Sequence, residues 1–232
     1  MKLAIMQPYL FPYIGYWQLM NAADVFVILD DVNYIKRGWI NRNRIQSPGG
    51  EIMVTLPVEH ASQNSVIRDM RFSDDARGRD RFVNTIKTAY RSYPCFGALE
   101  KVVDGCFSFE CRDLTDFIRR QIYEVSSYLR IGTSVIKASE IRSPEHRKGQ
   151  DGILEICGIF GADTYINPIG GTELYQREAF AEQGVELYFL KTDFTDIEAR
   201  TGGRRGDLSI LDLMAFSDID VLREMLYDYE LI

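Results

Sequence analysis

The first thirty or so residues constrain the fold more than any other stretch. Leu3–Met6 and Val25–Leu29 are continuous apolar runs of large or β-branched residues bounded by turn formers, the pattern of strands buried on both faces. Between them Phe11, Gly15, Leu19 and Ala22 recur at helical spacing, and Pro12 suits a first helical turn. Strand, helix and strand in so short a span make a βαβ unit. Its right-handed crossover sets the two strands parallel and turns the loop after Leu3–Met6 toward the ligand-binding edge of an α/β sheet.

Farther along, Glu51–Leu56 and Val66–Phe72 read as strands. Arg77–Tyr93 reads as a helix with Phe82, Ile86, Ala89 and Tyr93 on its apolar face and Pro94 at its end. Asp113–Leu129 is a second helix, striped by Leu114, Ile118, Ile122, Val125 and Leu129. A strand at Ser134–Ala138 precedes a helix at Gly149–Phe160. Strands at Thr164–Asn167 and Val185–Leu190 flank a helix at Leu174–Gln183, and a terminal helix starts at Ser209 after the glycine-rich 202–206 stretch. The expected fold is α/β: a parallel, Rossmann-like (HUP-like) sheet in a single domain over 1–232, with an inserted helical region around residues 74–130.

At 232 residues, 46% apolar and 26% charged, the chain has the composition of a folded globular protein. Its formal charge of −7 opposes broad nucleic-acid binding, although local cations can still grip a small anion. No apolar run reaches the length of a membrane span, and the apolar start is broken by Pro8 and Pro12, so a cytoplasmic protein is expected. Cys95, Cys106, Cys111 and Cys157 form no C-x-x-C pair, and His60 and His146 complete no zinc spacing. No zinc site is expected; the sequence assigns no metal ligand set and identifies no cofactor.

The densest chemical signal runs from Met6 to Trp17. Gln7, Tyr9, Tyr13, Tyr16 and Trp17 gather donors between a strand end and a helix start, where unpaired amides favour anions, and Gly15 allows close approach. Ordinary half-buried packing is the competing reading of these tyrosines. Pro12-Tyr13-Ile14-Gly15-Tyr16 resembles the P-x-H-x-G-H opening of nucleotidylyltransferases and class I aminoacyl-tRNA synthetases, with tyrosine in place of both histidines. A phenol donates a hydrogen bond but carries no charge near neutral pH. The resemblance therefore implies a nucleotide-binding fold and not adenylyl transfer.

A second cluster follows the second strand. Asp30 and Asp31 are candidates for base or Mg²⁺ ligand, with Asp31 preferred as base because it lies farther past the strand end. Lys36, Arg37 and Arg42 could hold phosphate or carboxylate, with Trp39 and Asn41 interleaved. A solvated charged loop is the competing reading. His60 is a further candidate base beside Glu59. Cys157 lies on the apolar face of its helix and reads as inert. Asn167, Gly170 and Gly171, in a strand-to-helix turn, could cradle a ligand.

Four segments carry a specific resemblance: Gln7–Tyr16, Lys36–Arg44, Gly170–Tyr175 and Leu208–Met214. Together they are similar to the WbqC-like protein family, and the similarity extends over essentially the whole chain. The resemblance implies a transferase of bacterial surface-polysaccharide loci, including glycine or acyl transfer to an amino sugar or nucleotide sugar. The partner so implied is a small molecule, an activated sugar or aminoacyl donor. A degenerate nucleotidylyltransferase-like nucleotide-binding protein and a noncatalytic scaffold of carbohydrate enzymes remain as alternatives.

Overall fold

The structure is a computed structural model and describes residues 1–59, 62–73, 76–108, 111–143 and 145–232. β1 (Lys2–Met6), α1 (Ile14–Ala22) and β2 (Val25–Ile28) form the expected opening unit. β1 and β2 pair in parallel, with Leu3 opposite Val25 and Met6 opposite Ile28. Pro12 lies just outside the helix rather than in its first turn, because Tyr13 is the extended residue that precedes it.

An antiparallel hairpin follows, β3 (Arg42–Ser47) with β4 (Gly50–Thr55). β3 has no place in the expectation above, which left Arg42 in a ligand-facing loop. Its single apolar residue, Ile45, hides the strand period, which Asn43 and Ile45 restore by being buried between the half-exposed Arg42, Arg44 and Gln46. Val66–Phe72 is no strand. It forms a 3-10 turn at Ile67–Asp69, and its amides serve the chain after β2: Ile67 donates to the Val32 carbonyl at 2.9 Å and Arg68 to that of Asp30 at 2.8 Å.

Three helices then run before the sheet resumes: α2 (Ala76–Tyr90), α3 (Phe96–Phe107) and α4 (Leu114–Leu129). α3 is absent from the sequence reading. Asp113 caps α4 by accepting from the Asp116 amide, and Arg130 in the left-handed region ends it. β5 (Ser134–Lys137), α5 (Ala138–Ile141), α6 (Gly149–Phe160), β6 (Thr164–Pro168), α7 (Arg177–Ala181) and β7 (Glu186–Thr192) complete the parallel part of the chain. α7 is shorter than the expected 174–183 helix. After α8 (Phe194–Arg200), the terminal helix divides into α9 (Ile210–Phe216) and α10 (Ile219–Met225), and β8 (Tyr229–Leu231) returns antiparallel to β7.

The main sheet has the order β5-β2-β1-β6-β7-β8. It is a mixed α/β sheet with flanking helices in a Rossmann-like arrangement, and the strand order reverses between β1 and β6. Alternation along the strands separates two cores. Ala4, Phe26, Ile166 and Leu190 pack with Trp17 of α1, Ile122 of α4 and Leu211 of α9 on one face. Leu3, Ile5, Val27, Tyr165 and Phe189 pack with Ile153, Ile156 and Cys157 of α6 and Phe180 of α7 on the other. Burying each large side chain of these layers contributes roughly 1.5–3 kcal/mol. Among the described residues no helix is long and apolar enough to cross a membrane.

Candidate functional site

The loop from Gln7 to Tyr13 leaves β1 at the carboxyl edge of the sheet, beside the reversal of strand order. Its backbone is held on all sides. Asn43 Nδ2 donates to the carbonyls of Leu10 and Phe11, both at 2.8 Å, and Ser209 Oγ donates to the same Phe11 carbonyl at 2.8 Å. The Phe11 amide donates to Gln121 Oε1 at 2.7 Å, and the Leu10 amide to the Trp39 carbonyl at 2.8 Å. Phe11 itself has φ of 41°, a conformation that a non-glycine residue keeps only where its surroundings over-determine it.

This loop forms one wall of a cavity of about 380 Å³. Tyr9, Tyr13, Trp39 and Phe194 supply aromatic surface, and Asn43, Arg44 and Asp207 the polar groups. Tyr13 and Phe194 stand 6.2 Å apart between ring centroids, and the Arg44 guanidinium lies 5.5 Å from the Trp39 ring. Arg44 also bridges Asp207 at 3.2 Å and Glu51 at 3.3 Å, yet its buried Nε has no hydrogen-bond partner. Nearby, the buried Gln7 Oε1 is equally without a partner. Burial raises the pKa of Tyr9, and burial together with Tyr9 raises that of Tyr13, so both phenols stay protonated as donors. Burial alone would raise the Asp207 carboxyl, but Arg205 and Arg44 outweigh it and hold the group below its ordinary value.

Other expected residues have structural partners instead. Tyr16 is fully buried and donates to the Gln7 carbonyl at 3.2 Å. Gly15 is required by packing, since a Cβ there would fall 2.6 Å from Thr192 Oγ1 and against the Tyr13 ring. Asn41 accepts from the Tyr34 hydroxyl at 2.7 Å and donates to the Leu56 carbonyl at 2.8 Å, pinning the hairpin. Arg42 spends its guanidinium on the carbonyls of Arg37 and Gly38 within its own loop. Lys36 and Arg37 are exposed and make no ion pair among the described residues.

Asp30 is fully buried, and both of its oxygens accept from Ser139, from the amide at 2.9 Å and from the hydroxyl at 2.6 Å. Burial nonetheless leaves its pKa raised. Asp31 accepts from Arg142 Nε at 2.9 Å and Nη2 at 2.6 Å, a bidentate buried pair. It therefore lines a different cavity from Tyr9 and Tyr13, one of about 430 Å³ that also contains His146. Asn167 donates to the Tyr165 hydroxyl at 2.7 Å, and Gly171 leaves room for the Asn167 side chain, while Gly170 faces open space. His60 lies outside the described residues. Cys157 is buried, and burial pushes its thiol up to about 12, which suits an inert packing residue.

Sequence reasoning missed Arg44, Asp207, Arg142 and His146. Arg44 was hidden inside a run of cations, and its alternation with buried Asn43 and Ile45 was the available signal. Arg142 has no local signal, because its partner Asp31 is remote in the chain. Among the described residues there is no cluster of three or more His, Cys, Asp or Glu side chains that could hold a metal ion.

Comparison with known proteins adds one relative and one family. The uncharacterized protein Rv1507c of Mycobacterium tuberculosis is 26% identical over 218 residues, covering 92% of each chain. No solved structure matches. The model of the WbqC-like protein family matches residues 7–224, and the chain belongs to that family.

Proposed function

We propose that this protein is a transferase of bacterial surface-polysaccharide biosynthesis that passes an acyl or aminoacyl group to an amino sugar or its nucleotide ester. The observation that carries this reading is the aromatic cavity holding Arg44, whose Nε is buried and unpartnered. A pyranose offers apolar C–H faces for rings such as Trp39 and Tyr13, and a rim of hydroxyls for Arg44, Asn43 and Asp207. The neutral phenols of Tyr9 and Tyr13 are suited to donate to the oxyanion that develops when an amine attacks an acyl carbon. Asp31 serves this reading as a structural anion, since proton abstraction by it would disrupt its bidentate pair with Arg142.

The test is calorimetric titration of amino sugars and their uridine diphosphate esters, with product formation followed by mass spectrometry in the presence of acyl and aminoacyl donors. At least one amino sugar is expected to bind, and Trp39→Ala and Arg44→Ala should each weaken it about tenfold, equivalent to roughly 1.4 kcal/mol. Failure of every amino sugar to bind, or binding indifferent to both substitutions, would sink the proposal.

A further inference from the structure

We infer that the second cavity, at the α6 N-terminus, is a binding site for a phosphate or diphosphate ester. The inference deepens the transferase reading and rests on it for the donor's role, but the anion site stands on its own observations. The usual phosphate position of a Rossmann-like sheet is the turn after β1. Here the turn's own amides are taken, that of Leu10 by the Trp39 carbonyl and that of Phe11 by Gln121, while Asn43 and Ser209 engage the Leu10 and Phe11 carbonyls. The cations that the sequence offered for phosphate lie elsewhere: Arg42 holds its own loop, and Lys36 and Arg37 line neither of the two cavities.

The second cavity has the unpaired cations that the first turn lacks. Arg68, Arg147 and Lys148 line it, and none of the three has an ion-pair partner among the described residues. The one carboxylate in the lining, Asp31, is neutralised by Arg142, whose third nitrogen, Nη1, donates to the Gly152 carbonyl at 3.1 Å. Glu155 is turned to the Arg147 amide, which donates to it at 3.0 Å. The cavity thus gathers unpaired positive charge on a molecule whose net charge is −7. α6 spans 12 residues and presents its N-terminus here with no side-chain cap, so its first amides and its dipole add to the same field.

His146 supplies an independent pointer to a ligand. Its side chain is only 8% exposed yet lines the cavity, and Nδ1 is 3.0 Å from the Ser143 carbonyl and 3.6 Å from Asp31. Nε2 makes no hydrogen bond among the described residues, and the imidazolium form, which carries a proton on both nitrogens, can donate from Nδ1 to that carbonyl and from Nε2 to a phosphate oxygen. A buried imidazole with a free nitrogen, three unpaired cations and an uncapped helix start converge on a space large enough for a diphosphate and part of what it carries.

The probe is inorganic pyrophosphate, titrated calorimetrically into the full chain, with uridine diphosphate as a second arm. Pyrophosphate should bind one to one, more weakly as salt rises. Lys148→Ala and Arg68→Ala should each weaken it about tenfold or more through loss of a charge-assisted contact. His146→Gln should weaken it as well, while Trp39→Ala in the first cavity should leave it unchanged. Tighter binding of uridine diphosphate than of pyrophosphate would identify a nucleoside ester, and equal binding the phosphates alone; both support the site. Circular dichroism checks that the variants fold. No binding of either probe, or pyrophosphate affinity unaltered in the Arg68→Ala/Lys148→Ala double variant, overturns the inference while leaving amino-sugar binding to decide the transferase reading. Retained pyrophosphate binding without any amino-sugar binding overturns that reading and keeps this site.

Discussion

Asp212 shows how strongly one side chain can tie stability to pH. It is 4% exposed on α9, and its Oδ1 accepts from the Gln46 amide at 2.8 Å. Oδ2 has no hydrogen bond of good geometry, though the Tyr90 hydroxyl is near enough to favour the anion. Burial dominates and raises the pKa to about 7, with the Gln46 amide, Tyr90 and Arg204 pulling the other way. The folded protein therefore holds a proton that the unfolded chain has released, from about pH 4 up to about pH 7. This contribution is fully present below the unfolded pKa and is lost as pH rises through the folded one, at about 1.4 kcal/mol for each pH unit between them. Asp212→Asn keeps the acceptor for Gln46 and removes the titration. The unfolding free energy from urea titration should fall by up to a few kcal/mol between pH 5 and pH 8 in the wild type, and by less in the variant. Equal falls in both proteins would show that Asp212 does not carry the effect.

Among the elements, the β3–β4 hairpin matters for what it braces. Asn43 on β3 supplies the donors for the Leu10 and Phe11 carbonyls, so the strained Phe11 conformation depends on a strand that sequence periodicity did not reveal. Asn43→Ala would leave two buried carbonyls short of donors, a cost of about 1–3 kcal/mol each, which the Ser209 hydroxyl offsets in part at Phe11. A drop of several degrees in the thermal midpoint by circular dichroism is expected, together with weaker amino-sugar binding as Tyr9 and Tyr13 lose their fixed wall. An unchanged midpoint would mean that the loop is held without Asn43. The elements that were legible in sequence are those with a strong apolar period: β1, β2, α4, α6 and β6 match their expected spans within a residue or two. β3 was not, because one apolar residue in six sets no period, and Val66–Phe72 misled because the amides of Ile67 and Arg68 go to the Val32 and Asp30 carbonyls rather than to a neighbouring strand. Around the aromatic cavity, Tyr9 and Tyr13 were legible as aromatics between a strand end and a helix start, and Trp39 as a ring interleaved in a run of cations. The separation of Asp31 from them was not, since Arg142, the residue that claims it, lies on the far side of the helical region.

At the scale of the whole molecule, the two cores share every central strand of one sheet. Leu3 and Ala4 are adjacent residues that serve opposite layers, so neither layer can melt and leave the other intact. We therefore expect one calorimetric unfolding transition, with calorimetric and van't Hoff enthalpies equal. Two resolved transitions would instead make the α2–α4 region an independent unit. The two tryptophans divide differently: Trp17 is sealed within the core at 0% exposure, whereas Trp39, at 37%, forms part of the aromatic cavity under the Arg44 guanidinium. A dissolved collisional quencher can reach only the second. The protein thus carries its own optical reporter, with one silent indole as internal reference and one whose emission changes when a molecule displaces water from the cavity, and no label is needed to watch that cavity fill.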